Sequence, residues 1–244
     1  MGAMQEEIDG IVQLLEAPVL YRSGMRTYYS GKINNVPTVI VFSRWGKVAA
    51  AATVSHLILH FGITELLFTG VAGGIREDCR IGDIIIGRRF IQHDMDARPI
   101  MERFEIPLLG KTWLECPPER VEKARQSIAA FLSGGQFHEA VGEEALRDFK
   151  ISAPKVLTGD IASGDHFFSD RKEKEDLQTL LPDLLCVEME GAAVAQVCYE
   201  YAIPFTIIRT ISDASDDPSG VDFLSFIAKV ASRFSVAIIR GLIQ

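Results

Sequence analysis

The chain has 244 residues, 48% of them hydrophobic and 24% charged, and it carries a formal net charge of -8 at pH 7. This length and composition are ordinary for a globular protein, so we expect one domain spanning residues 1–244. The negative charge argues against a nucleic-acid partner, because phosphate binding needs a positive surface, and no apolar run approaches the roughly 18 residues that would span a bilayer.

The predicted elements alternate between short apolar runs, which predict strands, and stretches with apolar residues at helical spacing, which predict helices. In chain order they are strand Thr38–Phe42, helix Gly46–Phe61, strand Leu66–Phe68, strand Ile84–Ile86 with Arg89–Gln92 as its continuation, helix Pro118–Leu132, strand Val156–Ile161, polar helix Asp170–Leu181, strand Leu184–Val187, helix Gly191–Tyr201, strand Pro204–Ile208 and closing helix Asp222–Ile243. Such alternation predicts an α/β fold, with a sheet covered by helices. Ala97–Trp113 shows little periodicity, and we interpret it as a functional or interface loop.

The four cysteines are scattered along the chain, and no pair has CxxC spacing. Reduced, buried thiols are the expected state of Cys79, Cys116, Cys186 and Cys198. The first residues also lack the n-region and h-region of a secretory signal. Both observations predict a cytoplasmic protein.

Polar residues follow two of the predicted strands, in the segments Glu188–Glu190 and Arg209–Asp213. Ligands of open α/β sheets bind outside the carboxyl ends of strands. In an extended segment the two glutamates would share one face, where they would either complement the dipole of the next helix or bind a hydroxyl-rich ligand. Ser212 and Asp213 either cap a turn or supply a buried acid whose raised pKa lets it donate a proton.

Two further motifs also end strands. Gly70–Gly74 is either a tight turn or a place where backbone amides approach a ligand closely, and it matches neither the P-loop nor GxGxxG. Ser163–Phe168 ends in two phenylalanines, which either pack in the core or stack on a nucleobase. Neither motif, taken alone, distinguishes its structural interpretation from its ligand-binding one.

Metal binding is not expected. His56 and His60 are four residues apart on a predicted helix, but no third ligand is evident, so we expect them to be packed or solvated. His93–Asp96 is expected to form a loop held by Asx hydrogen bonds. The charged run Arg171–Asp176 is expected to be a solvated helix face.

Taken in this order, the motifs resemble those of the 5′-methylthioadenosine/S-adenosylhomocysteine nucleosidases of the purine nucleoside phosphorylase-like superfamily. The likeness covers nearly the whole chain, and VEME together with the Ser-Asp pair and its upstream arginine is specific as a set. The matching segments are Gly2–Glu7, Gly46–Ala50, Thr69–Gly74, Gly82–Ile84, Ser163–Asp165, Val187–Glu190 and Arg209 with Ile211–Asp213.

The resemblance implies hydrolysis of the N-glycosidic bond of an adenine nucleoside that carries a 5′-thio substituent, with release of adenine and a thioribose. Asp213 matches the family's general acid, which protonates adenine N7, and Glu7 matches the base for the attacking water. Arg209 resembles the family residue that belongs to the network of groups holding this water. Two carboxyl groups in opposite protonation states are the pattern expected of glycosidic cleavage.

The resemblance also implies a substrate site. Glu190 matches the acceptor for the ribose hydroxyls, Met189 would pack under the ribose, Phe167 would stack on adenine, and the backbone at Phe168 would contact the base edge. The remaining expected substrate-binding residues are Glu188, Ser212, Val71, Ala72, Gly73 and Trp45.

Three departures from the family pattern stand out. Val71 replaces a typical serine, and Glu7 lies where the phosphorylases use arginine to bind phosphate, so both residues favour water over phosphate as the nucleophile. Trp45 replaces a smaller aliphatic residue near the 5′-thio pocket, which leaves the fit of a long homocysteine tail open. Relatives usually have a short apolar strand before the turn at Gly2, so we expect a truncated or misassigned start and, if this start is real, a less firmly held Glu7.

The fold implied by the resemblance is α/β, a single three-layer domain with a central mixed β-sheet flanked by helices, as in the nucleoside phosphorylases. A homodimer without metal or organic cofactor is implied, with Ala97–Pro107 reaching the neighbour's 5′-substituent pocket. The sequence does not separate relatives that cleave 5′-deoxyadenosine or 6-amino-6-deoxyfutalosine. The alternatives are a purine nucleoside phosphorylase and a non-catalytic nucleoside-binding protein; Glu7, Glu190 and Asp213 argue against the latter.

Overall fold

The structure is a computed structural model that describes residues 1–168, 170–213 and 222–243. Its strands are β1 Glu16–Ser23, β2 Arg26–Ile33, β3 Val36–Ile40, β4 Leu66–Gly74, β5 Ile84–Gln92, β6 Leu114–Glu115, β7 Val156–Ser163, β8 Leu184–Glu188 and β9 Phe205–Asp213. Its helices are α1 Gln5–Val12, α2 Lys47–Phe61, α3 Pro118–Ser133, α4 Gln136–Val141, α5 Glu143–Asp148, α6 Arg171–Leu180, α7 Gly191–Glu200, α8 Phe223–Phe226 and α9 Ser232–Leu242, with the π-helical segment Ile227–Ala231 between the last two. In the described part of the chain, no helix combines the length and apolar character needed to cross a membrane.

The main sheet is mixed, as expected, in the order β6-β5-β7-β8-β4-β9. Strand β4 runs parallel to β9, and β7 runs parallel to both β5 and β8. Short antiparallel pairings join β4 to β8 and β5 to β9. Because β5 pairs with both β7 and β9, five of the strands close on themselves, and this closure was not predicted from the sequence.

Helices cover both faces of this sheet and confirm the predicted layers. On one side, buried residues of α2 and α7 such as Val54 and Val194 pack with Phe68 of β4. On the other side, residues of α3 and α9 pack against β5, with Ile128 and Ile238 in one cluster. Burial of each such side chain contributes roughly 1.5–3 kcal/mol, which holds the layers together.

A second sheet, antiparallel in the order β1-β2-β3, was only partly predicted. The sequence indicated β3 but neither β1 nor β2. Every residue of β1 is exposed, so its side chains show no apolar alternation that could have marked a strand. Helix α1 and the short elements β6, α4 and α5 were also missed.

Strands β4 and β9 run further than predicted. The Gly70–Gly74 segment, interpreted from the sequence either as a tight turn or as a close approach of the backbone to a ligand, belongs to the second half of β4, and Arg209–Asp213 is the second half of β9. The two segments pair with each other, with Gly70 opposite Arg209 and Ala72 opposite Ile211. The small residues of β4 therefore form one wall beneath the end of β9.

Candidate functional site

A cleft with a cavity volume of about 70 Å³ opens to solvent at the carboxyl ends of β4, β8 and β9. All the site residues expected from the sequence line it, which brings together residues from the two ends of the chain. They are Glu7, Trp45, Val71, Ala72, Gly73, Phe167, Phe168, Glu188, Met189, Glu190, Arg209, Ser212 and Asp213.

Glu7 lies at the floor of the cleft with its side chain fully buried. The N–H groups of Ala3 and Met4 donate to its Oε2 at 2.6 and 3.1 Å, its Oε1 accepts no hydrogen bond of normal geometry, and the Val71 amide also lies near the carboxylate. Burial raises the pKa of Glu7, although the Arg209 charge and the neighbouring amides oppose that rise. A buried carboxyl group with one free oxygen and an elevated pKa is suited to accept a proton. The turn at the start of the chain thus holds Glu7 in place.

Arg209 is the largest fully buried side chain and carries a charge into the interior. Its Nε and Nη2 donate to Glu188 Oε2 at 3.1 and 2.6 Å, and its guanidinium lies 4.0 Å from the centre of the Phe68 ring. Burial opposes its charge, but the carboxylates of Glu188, Glu190 and Glu7 outweigh burial and raise the pKa of Arg209. Arg209 therefore remains cationic beside Glu7.

Glu188 and Glu190 do not share one strand face as expected, because β8 ends at Glu188 and Glu190 is the N-cap of α7. The Glu188 carboxylate accepts from the Ser163 hydroxyl, the Gly191 amide and Arg209, and so complements the start of α7. The Glu190 amide also donates to Glu188 Oε2 at 3.2 Å, so Glu188 holds Arg209 and the start of α7 in place.

Glu190 faces the cleft and is nearly buried. Its Oε1 accepts a hydrogen bond of 2.8 Å from the Gly46 amide. Gly46 has a φ of +93°, and a Cβ there would lie 3.0 Å from an Asp165 oxygen, so glycine is required for this approach. Burial, reinforced by the Glu188 charge, raises the pKa of Glu190 to about 8.

Asp213 ends β9 and lies next to Gly73 of β4, whereas Glu7 lies next to Gly70 of the same strand. Its Oδ1 lies 3.0 Å from the Ser212 hydroxyl, and its Oδ2 accepts a hydrogen bond of 2.7 Å from the Lys174 ammonium group. A Cβ on Gly73 would lie 3.1 Å from Oδ2, so the small residue lets β4 approach the carboxylate. The charged run Arg171–Asp176 was predicted to be a solvated helix face. This prediction is wrong at Lys174, which is 6% exposed.

Small residues make the wall between the two acids. A Cβ on Gly70 would lie 3.1 Å from Glu7 Oε1 and 3.3 Å from Arg209 Nη1. Gly70 thus lets β4 pass close to these charged groups. Of the two readings of Gly70–Gly74, the structure supports a backbone that approaches the site closely, within a strand.

Three aromatic rings surround the mouth of the cleft. Phe223 of α8 makes edge-to-face contacts with Trp45 at 6.3 Å and with Phe167 at 5.9 Å between ring centres. Trp45 and Phe167 are about half exposed, so their faces are accessible to a ligand. Phe168 contacts His166 and the half-buried His93. Phe223 was not predicted as a site residue.

The histidines and acids considered for metal binding have other partners. Among the described residues, no three His, Cys, Asp or Glu side chains are grouped so as to hold a metal ion. His56 and His60 stack on each other at 4.8 Å. In the His93–Asp96 loop, Asp94 pairs with Lys47 and accepts from the Asp165 amide, while Asp96 accepts an Asx-type hydrogen bond of 3.2 Å from the Arg98 amide.

Comparisons with known proteins agree with this architecture. The family model described as the phosphorylase superfamily matches residues 1–244. A 5′-methylthioadenosine/S-adenosylhomocysteine nucleosidase of Shewanella denitrificans is 31% identical over 100% of this chain and 97% of its own length. An aminodeoxyfutalosine nucleosidase of Helicobacter pylori is 32% identical over 95% of this chain and 91% of its own.

Solved structures give the same result. The 5′-methylthioadenosine/S-adenosylhomocysteine nucleosidase of Neisseria meningitidis, in complex with methylthio-immucillin-A, has a TM-score of 0.84 and 26% identity to this chain. The similarity covers 99% of this chain and 95% of that one.

Proposed function

Because the chain belongs to the phosphorylase superfamily, we propose that it hydrolyses the N-glycosidic bond of 5′-methylthioadenosine and S-adenosylhomocysteine. The products would be adenine and the 5-thioribose. The proposal extends to 5′-deoxyadenosine and 6-amino-6-deoxyfutalosine as further substrates, and the aminodeoxyfutalosine nucleosidase among the relatives supports the latter.

The proposed mechanism uses two acids of the cleft, Asp213 beside Gly73 and Glu7 beside Gly70. Asp213 gives a proton to adenine N7, so that adenine leaves as a neutral base, and positive charge develops on the ribosyl ring. Glu7, through its unpartnered Oε1, takes a proton from the water that attacks this ring. Arg209 helps to hold that water beside Glu7. A positioned acid and a positioned base each contribute roughly 10²–10⁴-fold to the rate.

Substrate binding is assigned to the residues between these acids. Glu190 accepts hydrogen bonds from the ribose hydroxyls, and Met189 packs under the sugar. Phe167 stacks on adenine, while the backbone at Phe168 contacts the base edge. Trp45, at the mouth, would lie beside the 5′ substituent.

The charges of the residues that line the cleft support water, rather than phosphate, as the nucleophile. Arg209 is the one permanent cation among the described residues that line the cleft, and its guanidinium is already bonded to Glu188. A phosphate dianion would meet the carboxyl groups of Glu7 and Glu190, and the Val71 side chain offers it no hydroxyl. Water needs no such cation.

Adenine release from 5′-methylthioadenosine, measured in phosphate-free buffer and again with millimolar phosphate, tests this proposal. We expect equal rates in the two buffers and free 5-methylthioribose as the sugar product. Turnover only with phosphate, giving the sugar 1-phosphate, would identify a phosphorylase. No adenine release in either buffer would favour a nucleoside-binding protein.

Substrate affinity is expected to depend on pH through Glu190. A hydroxyl hydrogen bond to a carboxylate is stronger than one to a neutral carboxyl group, and the pKa of Glu190 is raised to about 8. Binding must then release a proton below pH 8, so KM should fall by up to about tenfold per unit as the pH rises from 6 to 8 and level off above it. In Glu190→Gln, KM should be high and without this slope. A wild-type KM that stays constant over this range would remove Glu190 from ribose binding.

We also propose a homodimer. Apolar side chains on α2 and in the 97–113 loop are exposed, with Val48 at 80%, Leu59 at 70%, Ile100 at 86% and Leu108 at 94%. Exposed apolar side chains in this number are typical of an interface, and Ala97–Pro107 would then lie against the partner's cleft. The mass in solution, measured by light scattering, should be twice 26.9 kDa.

All four cysteines are free and buried, which supports the proposed cytoplasmic location.

A further inference from the structure

Lys174 contacts Asp213 from outside the cleft. It lies on α6, on the same side as the buried Leu177, so its chain runs through the protein instead of into solvent. Its Nζ is 2.7 Å from Asp213 Oδ2, and the two side chains are 7% and 32% exposed. The ammonium group of Lys174 therefore places an N–H proton directly against the carboxyl group that faces the leaving base.

A second cavity lies behind this ion pair. It has a volume of about 240 Å³, and its lining includes Lys174, Glu77, Arg171 and Glu175. The Cys79 thiol also lines it and stays neutral, because burial raises its pKa to about 12. Lys174 thus contacts Asp213 of the cleft and also lines a polar space that can hold water.

The other charged groups near the pair are accounted for among the described residues. On the cleft side, His166 is paired with Glu173 of α6. Arg209, deeper in the cleft, is bonded to Glu188. In the described part of the chain, the direct contacts of the Asp213 carboxylate are therefore the ammonium group of Lys174 and the hydroxyl of Ser212.

We propose that Lys174 and Asp213 share the proton that is transferred to the leaving base. The ammonium group carries this proton while the cleft is empty. During the reaction an Nζ–H bond breaks and the proton passes to the Asp213 carboxylate. The carboxyl O–H bond then breaks as adenine N7 gains the proton, while the C1′–N9 bonding electrons move to the base. Lys174 is left as a neutral amine and takes up a proton from solvent through the second cavity, while Glu7 releases to solvent the proton that it took from the attacking water.

This inference rests on the proposed nucleosidase activity and makes Lys174 a positioning residue that acts through Asp213. In the wild type the Lys174 ammonium group supplies the proton directly to the Asp213 carboxylate. Without the ammonium group, Asp213 must take this proton from solution, so the rate should depend more steeply on the proton concentration. Removal of Lys174 should therefore change the pH profile as well as the rate.

The test is kcat for adenine release from 5′-methylthioadenosine between pH 5 and 9, in wild type, Lys174→Met and Lys174→Arg. The ratio of Lys174→Met to wild-type kcat should be near one at pH 5 and fall to about 0.01 or less at pH 8. Lys174→Arg keeps the positive charge but cannot release a proton, so it should lose about 100-fold across the whole range. The exposed Lys172→Met on the same helix is the matched control and should behave as wild type.

A purely structural role for Lys174 predicts the opposite pattern. In that case Lys174→Met would lose the same factor at every pH and Lys174→Arg would recover most of the rate; either result overturns the inference. If Lys174→Met does not fold, as judged by circular dichroism, the Lys174→Arg profile decides alone. Absence of adenine release from the wild type would instead refute the proposed function itself.

Discussion

Asp213→Asn is expected to lower kcat for adenine release by about 10²–10⁴-fold while leaving substrate binding measurable. The amide has nearly the same shape as the carboxyl group and can still accept a hydrogen bond from Lys174, so the geometry of the cleft should persist. It cannot transfer a proton to N7, and adenine would have to leave as an anion. The loss corresponds to roughly 3–5 kcal/mol of transition-state stabilisation. Steady-state kinetics and calorimetric titration with 5′-methylthioadenosine measure the two quantities separately.

Asp176→Asn provides the control for this experiment, because Asp176 is an exposed acid on α6 close in sequence to Lys174. It should keep full activity. A kcat of Asp213→Asn within threefold of wild type would remove Asp213 from the mechanism. Loss of binding together with loss of turnover would instead show that Asp213 mainly holds the substrate.

The parts of the fold that were predicted correctly are those in which local pattern and burial coincide. Strand β8 and the first half of β9 are buried and appear as continuous apolar runs in the sequence, whereas the second half of β9 is equally buried but polar and was not predicted as strand. Closure of the main sheet could not be predicted, since it depends on short pairings between distant strands, such as Ile85 with Arg209. Strand β1 is exposed along its whole length and leaves no apolar pattern.

The cleft was predictable to the extent that its residues stand at strand ends or in recognisable motifs. Phe223 was missed because it begins a helix far along the chain, and only the fold brings it to Trp45 and Phe167. Lys174 was missed because it stands in a run of charges. Its spacing from the buried Leu177 and Leu181 places the three on one helical face, and this pattern could have indicated its burial.

Burial of the charged groups of the cleft lowers the stability of the folded protein. Glu7, Glu188 and Glu190 are buried around one guanidinium group, and the pKa values of Glu7 and Glu190 are raised by burial. A raised pKa means that ionisation of these groups is harder in the folded protein than in the unfolded chain. The stability that they contribute is therefore fully present below their ordinary pKa, near 4.5, and is lost as the pH rises through the folded value.

Glu7→Gln should reveal both the stability cost of burying the Glu7 carboxyl group and the role of this group in the reaction. We expect kcat for adenine release to fall by about 10²–10⁴-fold, because the amide cannot accept a proton from water. Its oxygen can still accept from the Ala3 and Met4 amides, so the turn should keep its shape. Because burial raises the pKa of Glu7, the uncharged variant should unfold at a temperature no lower than the wild type at pH 8. Kinetics and thermal unfolding at that pH check both results.

Glu6→Gln is the matched control for Glu7→Gln, since Glu6 is the exposed neighbour on α1. It should change neither the rate nor the unfolding temperature appreciably. A variant that loses activity without losing stability identifies Glu7 as a group kept for chemistry rather than for folding. Turnover of Glu7→Gln within threefold of wild type would show that the water needs no base at this position. A marked fall in its unfolding temperature would show that the ionised Glu7 stabilises Arg209 more strongly than burial opposes it.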